Sequence, residues 1–291
     1  MKTLLVLTDF SEAANHAAVY AYALAKQLRA SLILCNVFAV QSELPQAGLL
    51  IWPLQDAEMH LKDSQLELKK LKILLQKVDN QDSFRPKVSI RSRKGILVDV
   101  VRKISAKSHI DYIVMASHGA GLEKLVMGNQ VRSLINETGA PVFIIPATSE
   151  LTVIKKIGLA LDFKDLVSDL KFVKRSIEFA SLLQADVLIT HVCSAAEEEP
   201  EFEKSVKDIL TTICADNNCA NLQYKAIKGT IEKAGLESIM TLGDIDLLVT
   251  VHRHRGLFDG IFKGSFTQEL SANLTLPLLV LKKELDRELI N

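Results

Sequence analysis

No apolar run in this 291-residue chain reaches the roughly 18 residues that a membrane helix needs. Cysteine is sparse, with only Cys35, Cys193, Cys214 and Cys219. Cys35 and Cys193 fall inside apolar, strand-like runs, where buried free thiols are common. Cys214 and Cys219 have no second pair to complete a zinc site, and nothing requires a disulfide between them. No basic-then-apolar signal segment opens the chain, so the expected location is cytoplasmic. Net charge is also missing: 35 basic side chains stand against 35 acidic ones, leaving no global field to recruit nucleic acid or an anionic membrane. There is no GxxxxGK[ST], GxSxG or HExxH motif, and no conspicuous pair of carboxylates placed as acid and base. The chain is therefore not expected to be an enzyme, beyond slow hydrolysis incidental to binding.

What is present is a repeat. LLVLTDFS (4–11) returns as IGLALDFK (157–164), DYIVMA (111–116) as DLLVTV (246–251), and GAPVFII (139–145) as TLPLLVL (275–281), in the same order. Three pairs in register imply a duplicated domain. The chain length suits two domains of ordinary size, and an apolar share of 48% can fill a core in each. The expected domains are residues 1–148 and 153–291, joined by a short linker. Up to residue 150 there are 18 basic and 14 acidic residues; beyond it there are 17 and 21. That difference favours docking of the copies only weakly, because salt screens it.

Each half alternates short apolar runs with longer amphipathic ones. Strands are expected at Thr3–Leu7, Ser31–Val37, Lys87–Arg93, Tyr112–Ala116 and Val142–Ile145, and helices at Ala13–Leu28, Asp56–Val78, Ile96–Ser105 and Val131–Glu137. The second half repeats this, with strands at Ile157–Leu161, Asp186–Val192, Gln223–Ile227, Ile245–Val251 and Leu278–Leu281. Its helices are expected at Leu166–Leu183, Glu197–Asn217, Ile231–Leu242 and Thr267–Ala272. Strand–helix alternation with continuously apolar strands indicates α/β architecture: two doubly wound, Rossmann-like parallel sheets of five strands each. Ala39–Gln55, with two prolines and the sole tryptophan, reads as a lid or packing loop.

In such sheets ligands bind beyond the carboxyl ends of the strands, where the winding reverses. That rule selects Asp9, Val37 and the loop Ala116–Asn129 in the first copy. In the second it selects Asp162, Val192 and the loop Val251–Ser265. Asp9 and Asp162 could equally close a turn or cap a helix. His191, His252, His254 and Asp162 could converge on a metal, although solvated imidazoles are the commoner case, and no metal site is expected. His118 is read as packing or facing solvent.

LTDFS (7–11) and ALDFK (160–164), CNVF (35–38) and THVC (190–193), the loops MASHGAGLEKLVMGN (115–129) and TVHRHRGLFDGIFKGS (250–265), and the proline-led last strands together resemble the universal stress protein family over nearly the whole chain, in tandem. The resemblance implies a non-catalytic stress-response regulator that binds ATP or another adenine nucleotide, with magnesium accompanying ATP. Asp9 and Asp162 would meet ribose hydroxyls, and Val37 and Val192 the base. Met115, Ala116, Gly119, Gly128 and Asn129, and in the second copy Gly264 and Ser265, would cradle phosphates through close backbone approach and helix-start amides.

Both loops depart from the family's pattern. In the first copy Ala116 replaces the first glycine, only eight residues separate Gly119 from Gly128, and Asn129 replaces the hydroxyl residue. In the second, Val251 and His254 stand at the first two glycine positions. The first copy is therefore expected to bind preferentially. The cluster His252, Arg253, His254 and Arg255 would attract an anion in another geometry. The resemblance also implies a pseudo-dimer in which the copies pair through their last strands. A homo-oligomer and protein partners are compatible with it; nucleic acid and membrane are not expected. The alternatives are an interaction module with degenerate sites that acts through protein partners without nucleotide, or a small-anion or metal binder at the second copy.

Overall fold

The structure is a computed structural model. It describes residues 1–39, 53–78, 84–117, 133–161, 163, 165–193, 200–216, 222–228, 244–252 and 275–282. The chain divides into two compact units, Met1–Ala147 and Thr148–Asn291.

The first unit contains strands β1 (Thr3–Leu7), β2 (Ser31–Phe38), β3 (Val88–Lys94), β4 (Tyr112–Ala116) and β5 (Val142–Ile145). Helices α1 (Glu12–Gln27), α2 (Pro53–Val78) and α3 (Leu97–Lys107) connect them, and the described residues 133–138 are helical (α4). The strand order is β3-β2-β1-β4-β5, with every described pairing parallel. β1, β4 and β5 are buried almost end to end, as strands covered on both faces must be. Ser11 caps α1 by accepting from the Ala14 N–H at 3.2 Å. α2 begins three residues before the sequence suggested, because Pro53 occupies its first position, where a missing N–H costs nothing. Residues 53–55 of the expected lid thus belong to α2, and 40–52 lie outside the described residues. On the edge strand β3, exposed Arg91, Arg93 and Lys94 discourage pairing with another sheet.

The second unit contains β6 (Lys156–Leu161), β7 (Asp186–Cys193), β8 (Leu222–Lys228), β9 (Leu247–His252) and β10 (Leu278–Lys282), with α5 (Leu166–Leu183) and α6 (Pro200–Asp216). Its order is β8-β7-β6-β9-β10, the same permutation, and its described pairings are again parallel. The expected helices at 231–242 and 267–272 lie outside the described residues.

The two units use the same joints. Asp111, just before β4, accepts the Thr3 N–H at 2.9 Å; Asp246, just before β9, accepts the Lys155 and Lys156 N–H groups at 2.7 and 2.9 Å. Each aspartate also donates its own N–H to the facing strand, Asp111 to Thr3 O and Asp246 to Lys156 O. Each first helix ends on a left-handed residue, Arg29 (φ 50°) and Gln184 (φ 55°). The following N–H reaches back to the last turn, Ala30 to Ala25 O and Ala185 to Ala180 O. At one core position the second unit lacks a side chain altogether. Gly158 in β6 stands where β1 has Leu5, and a Cβ there would lie 2.7 Å from Ile245 Cδ1, so the isoleucine fills the space a side chain would occupy.

Candidate functional site

The winding reverses between β1 and β4, which pair directly although β2 and β3 lie between them in the chain. Register decides what meets at that point. Leu7 lies beside Cys35, and Val6 beside Val114. Counting on by the same register sets Asp9 level with Val37 on one side and Ser117 on the other. Three of the expected contact positions, Asp9, Val37 and Ala116, therefore converge on one sheet end.

The Asp9 turn is tightly specified. Phe10 adopts φ 66°, a left-handed conformation disfavoured for an aromatic residue. Its N–H donates to Thr8 Oγ1 at 3.0 Å, and its carbonyl accepts from Asn15 Nδ2 at 3.3 Å. Asp9 Oδ1 accepts from both the Ser11 N–H (3.0 Å) and the Ser11 hydroxyl (2.6 Å). Asp9 thus closes the turn and leaves helix capping to Ser11, while its side chain stays exposed at the end of β1. Phe163 in the second unit repeats the left-handed conformation at φ 48°. Strain repeated at the same point in both copies persists only where the surroundings impose it, and such points gather at functional sites.

Behind the turn runs a buried polar relay that the sequence did not reveal. Asn36 Nδ2 donates to Thr8 O at 2.8 Å, the Ser64 hydroxyl donates to Asn36 Oδ1 at 2.8 Å, and the Ser92 hydroxyl donates to Ser64 Oγ at 2.6 Å. All four residues are buried. The relay ties β1 to β2, α2 and β3 at the site end of the sheet. Its only signal in the sequence is a polar Asn inside an apolar run.

Other positions around the end are less polar. Val37 and Phe38 are half-buried, and the Phe38 ring lies 6.1 Å from that of His60. Gly95 takes φ 144°, closed to other residues, and donates its N–H to Phe38 O at 3.0 Å; Ile96 beside it is exposed. Met115 and Ala116 are buried in β4 with only 9% exposure each, so they offer a ligand little more than an edge. Gly119, Gly128 and Asn129 lie outside the described residues.

In the second unit Asp162, Gly264, Ser265 and the run Arg253–Arg255 also lie outside them, as do the side chains of His191, Val192 and His252. The set His191, His252, His254 and Asp162, at which no metal is expected, falls there too. Val251 is buried where the first unit has Ala116. Thr250 is fully buried, and its hydroxyl has no hydrogen-bond partner among the described residues. Among the described residues no group of three or more His, Cys, Asp or Glu is placed to hold a metal, and no helix is long and apolar enough to cross a membrane.

Cys35 sits beneath the site in β2. Burial pushes its thiol up to about 12, against smaller opposing effects of the Arg93 and Arg91 charges. The thiolate is the reactive form, so Cys35 should resist alkylation at pH 8 until the protein unfolds, as mass spectrometry of iodoacetamide-treated protein would show. A raised acid pKa means the native state holds a proton that the unfolded state releases near 9.0. The linked stability is therefore complete below that value and is lost as pH rises from there towards 12.

The model of the universal stress protein family matches residues 1–146. No curated protein sequence matches the chain. Among solved structures, a universal stress protein from Archaeoglobus fulgidus DSM 4304 aligns with TM-score 0.69 at 14% identity, covering 98% of this chain and 97% of that one. A functionally unknown protein from Pseudomonas aeruginosa PAO1 aligns at 0.53 and 14% identity, covering 97% and 93%. The cytoplasmic domain of a prokaryotic cation chloride cotransporter aligns at 0.57 and 10% identity, covering 97% and 96%. At such identities these likenesses speak for the fold alone. The matched half carries the Asp9 turn and the strand order on which the site is built, and the chain belongs to the universal stress protein family.

Proposed function

We propose that this protein is a non-catalytic stress-response regulator that binds an adenine nucleotide at the carboxyl end of the first unit's sheet, in preference to the second. One observation carries the reading: Asp9 is held exposed on a strained, four-times hydrogen-bonded turn at the reversal of winding, level with half-buried Val37. An exposed carboxylate beside an aliphatic surface suits a ribose next to a base, so these residues fit the sugar and base of a nucleotide. Phosphates would fall to Gly119, Gly128 and Asn129; this copy keeps Gly119 and has only Ala116 at the first glycine position, where the second copy has His254 and Val251. Magnesium would then arrive with ATP.

Calorimetry with ATP tests this. Asp9→Ala should weaken binding by roughly 10–100-fold, the worth of hydrogen bonds to a charged group. Asp9→Asn keeps an oxygen to close the turn and removes the charge; it should also weaken binding while melting close to wild type. Gly119→Val should cost more affinity than Ser265→Ala. Undiminished binding in both Asp9 variants would sink the site, and a loss confined to Ser265→Ala would reverse the ranking of the copies.

A further inference from the structure

Helix α2 buries Ser64, Leu68, Leu71 and Leu75 against its own sheet, yet carries a second apolar line on its outer side. Met59, Leu66 and Ile73 are 57%, 52% and 51% exposed. Their spacing of seven keeps them on one face, drifting only about 20° per step, and the line runs for roughly 21 Å at 1.5 Å per residue. Three large apolar side chains in line are unusual on an exposed face.

The charges around the line are distributed unevenly. Between Ala57 and Glu67 the helix carries Glu58, Asp63 and Glu67 against Lys62. From Leu68 onward it carries Lys69, Lys70, Lys72 and Lys77 with no acid. The apolar line is also symmetric about Leu66. A copy of the same helix laid antiparallel would place Leu66 on Leu66, Met59 on Ile73, and the acidic half of each helix along the basic half of the other. Asp63 would then flank Lys70 of the opposing copy. Lys70 meanwhile pairs with its own Glu67 at 2.7 Å, an exposed contact it can share. A parallel arrangement would set like halves together. The opposing term is Lys62 against Lys69, whose long stems can carry their charges out to solvent.

We infer that the outer face of α2 is a self-association surface, on which two copies of this protein pair through antiparallel α2 helices centred on Leu66. A single helix pair buries less than a standard interface, so the dimer is weak, with a dissociation constant of about micromolar or higher.

Sedimentation equilibrium over a range of concentrations tests this on the full chain, with circular dichroism to verify folding. Wild-type mass should rise towards the dimer with concentration. Leu66→Glu places a charge at the centre of an already exposed position. It should leave the fold intact and weaken association at least about tenfold, as loss of a central anchor does. Asp63→Lys should weaken association by setting two lysines together, and adding Lys70→Asp in the same chain should restore it. Wild-type protein that stays monomeric throughout, as it would if another protein or nothing covers this face, overturns the inference. So does a dimer indifferent to Leu66→Glu, or a charge swap that fails to rescue Asp63→Lys.

Discussion

Phe143→Ala should destabilise the first unit by about 3–5 kcal/mol, the usual cost of removing a fully buried aromatic ring. Phe143 has no exposed surface in the middle of β5, and its ring meets Tyr112 of β4 edge-on at 5.5 Å between centroids. Truncation would lose both the burial and the aromatic contact, and would leave a cavity between two strands whose backbones are fixed by their ladder. Phe143→Leu keeps most of the volume and should cost less, about 1–2 kcal/mol. Native-state hydrogen exchange of the β4 and β5 amides reads the loss within this unit, independently of how the other unit unfolds. A cost below about 1 kcal/mol for the alanine variant would mean that the ring does not fill the core as described.

Phe143 was legible from the sequence because it belongs to an unbroken apolar run, and the same holds for most of the fold. Thr3–Leu7, Tyr112–Ala116, Val142–Ile145 and Leu166–Leu183 run as the sequence suggested, since in each the apolar pattern ends against polar or turn residues. Where the pattern fades into mixed residues the ends moved. β9 starts at Leu247 rather than Ile245, because Asp244 takes a left-handed turn and Asp246 is spent on the backbone of β6. The paired Asp111 and Asp246 were visible in the repeat, but their role needed the geometry. The left-handed Phe10 and Phe163 could not be read at all, since local preference argues against that conformation for an aromatic residue. At the proposed site, counting strand ends was enough to select Asp9, Val37 and Ala116, and the register brings those positions to one end of the sheet. The relay behind the Asp9 turn was not legible, because its members come from different elements.

Asn36 is the clearest of those, and Asn36→Leu should cost about 2–4 kcal/mol. The substitution keeps approximate volume and adds apolar surface, so a purely hydrophobic account would call it harmless. The relay says otherwise. Asn36 is buried, and its loss leaves Thr8 O without its side-chain donor and the Ser64 hydroxyl without its acceptor. An unsatisfied buried group costs about 1–3 kcal/mol. Ser64→Ala should cost less than Asn36→Leu, and less again in the Asn36→Leu background, where its hydroxyl already lacks the acceptor. Denaturant melts of the two single variants and the double variant give that coupling directly. The effect should also reach the site. Thr8 is where β1 leaves the sheet and enters the left-handed Phe10, so loosening its carbonyl frees the turn that presents Asp9. On the proposed function, ATP affinity should then fall in Asn36→Leu although Asn36 makes no contact with the nucleotide, and the thermal shift produced by ATP should shrink with it. Additive costs at Asn36 and Ser64 would show that the two do not act as one relay. A destabilised variant with full ATP affinity would show that the relay supports the sheet but does not position Asp9.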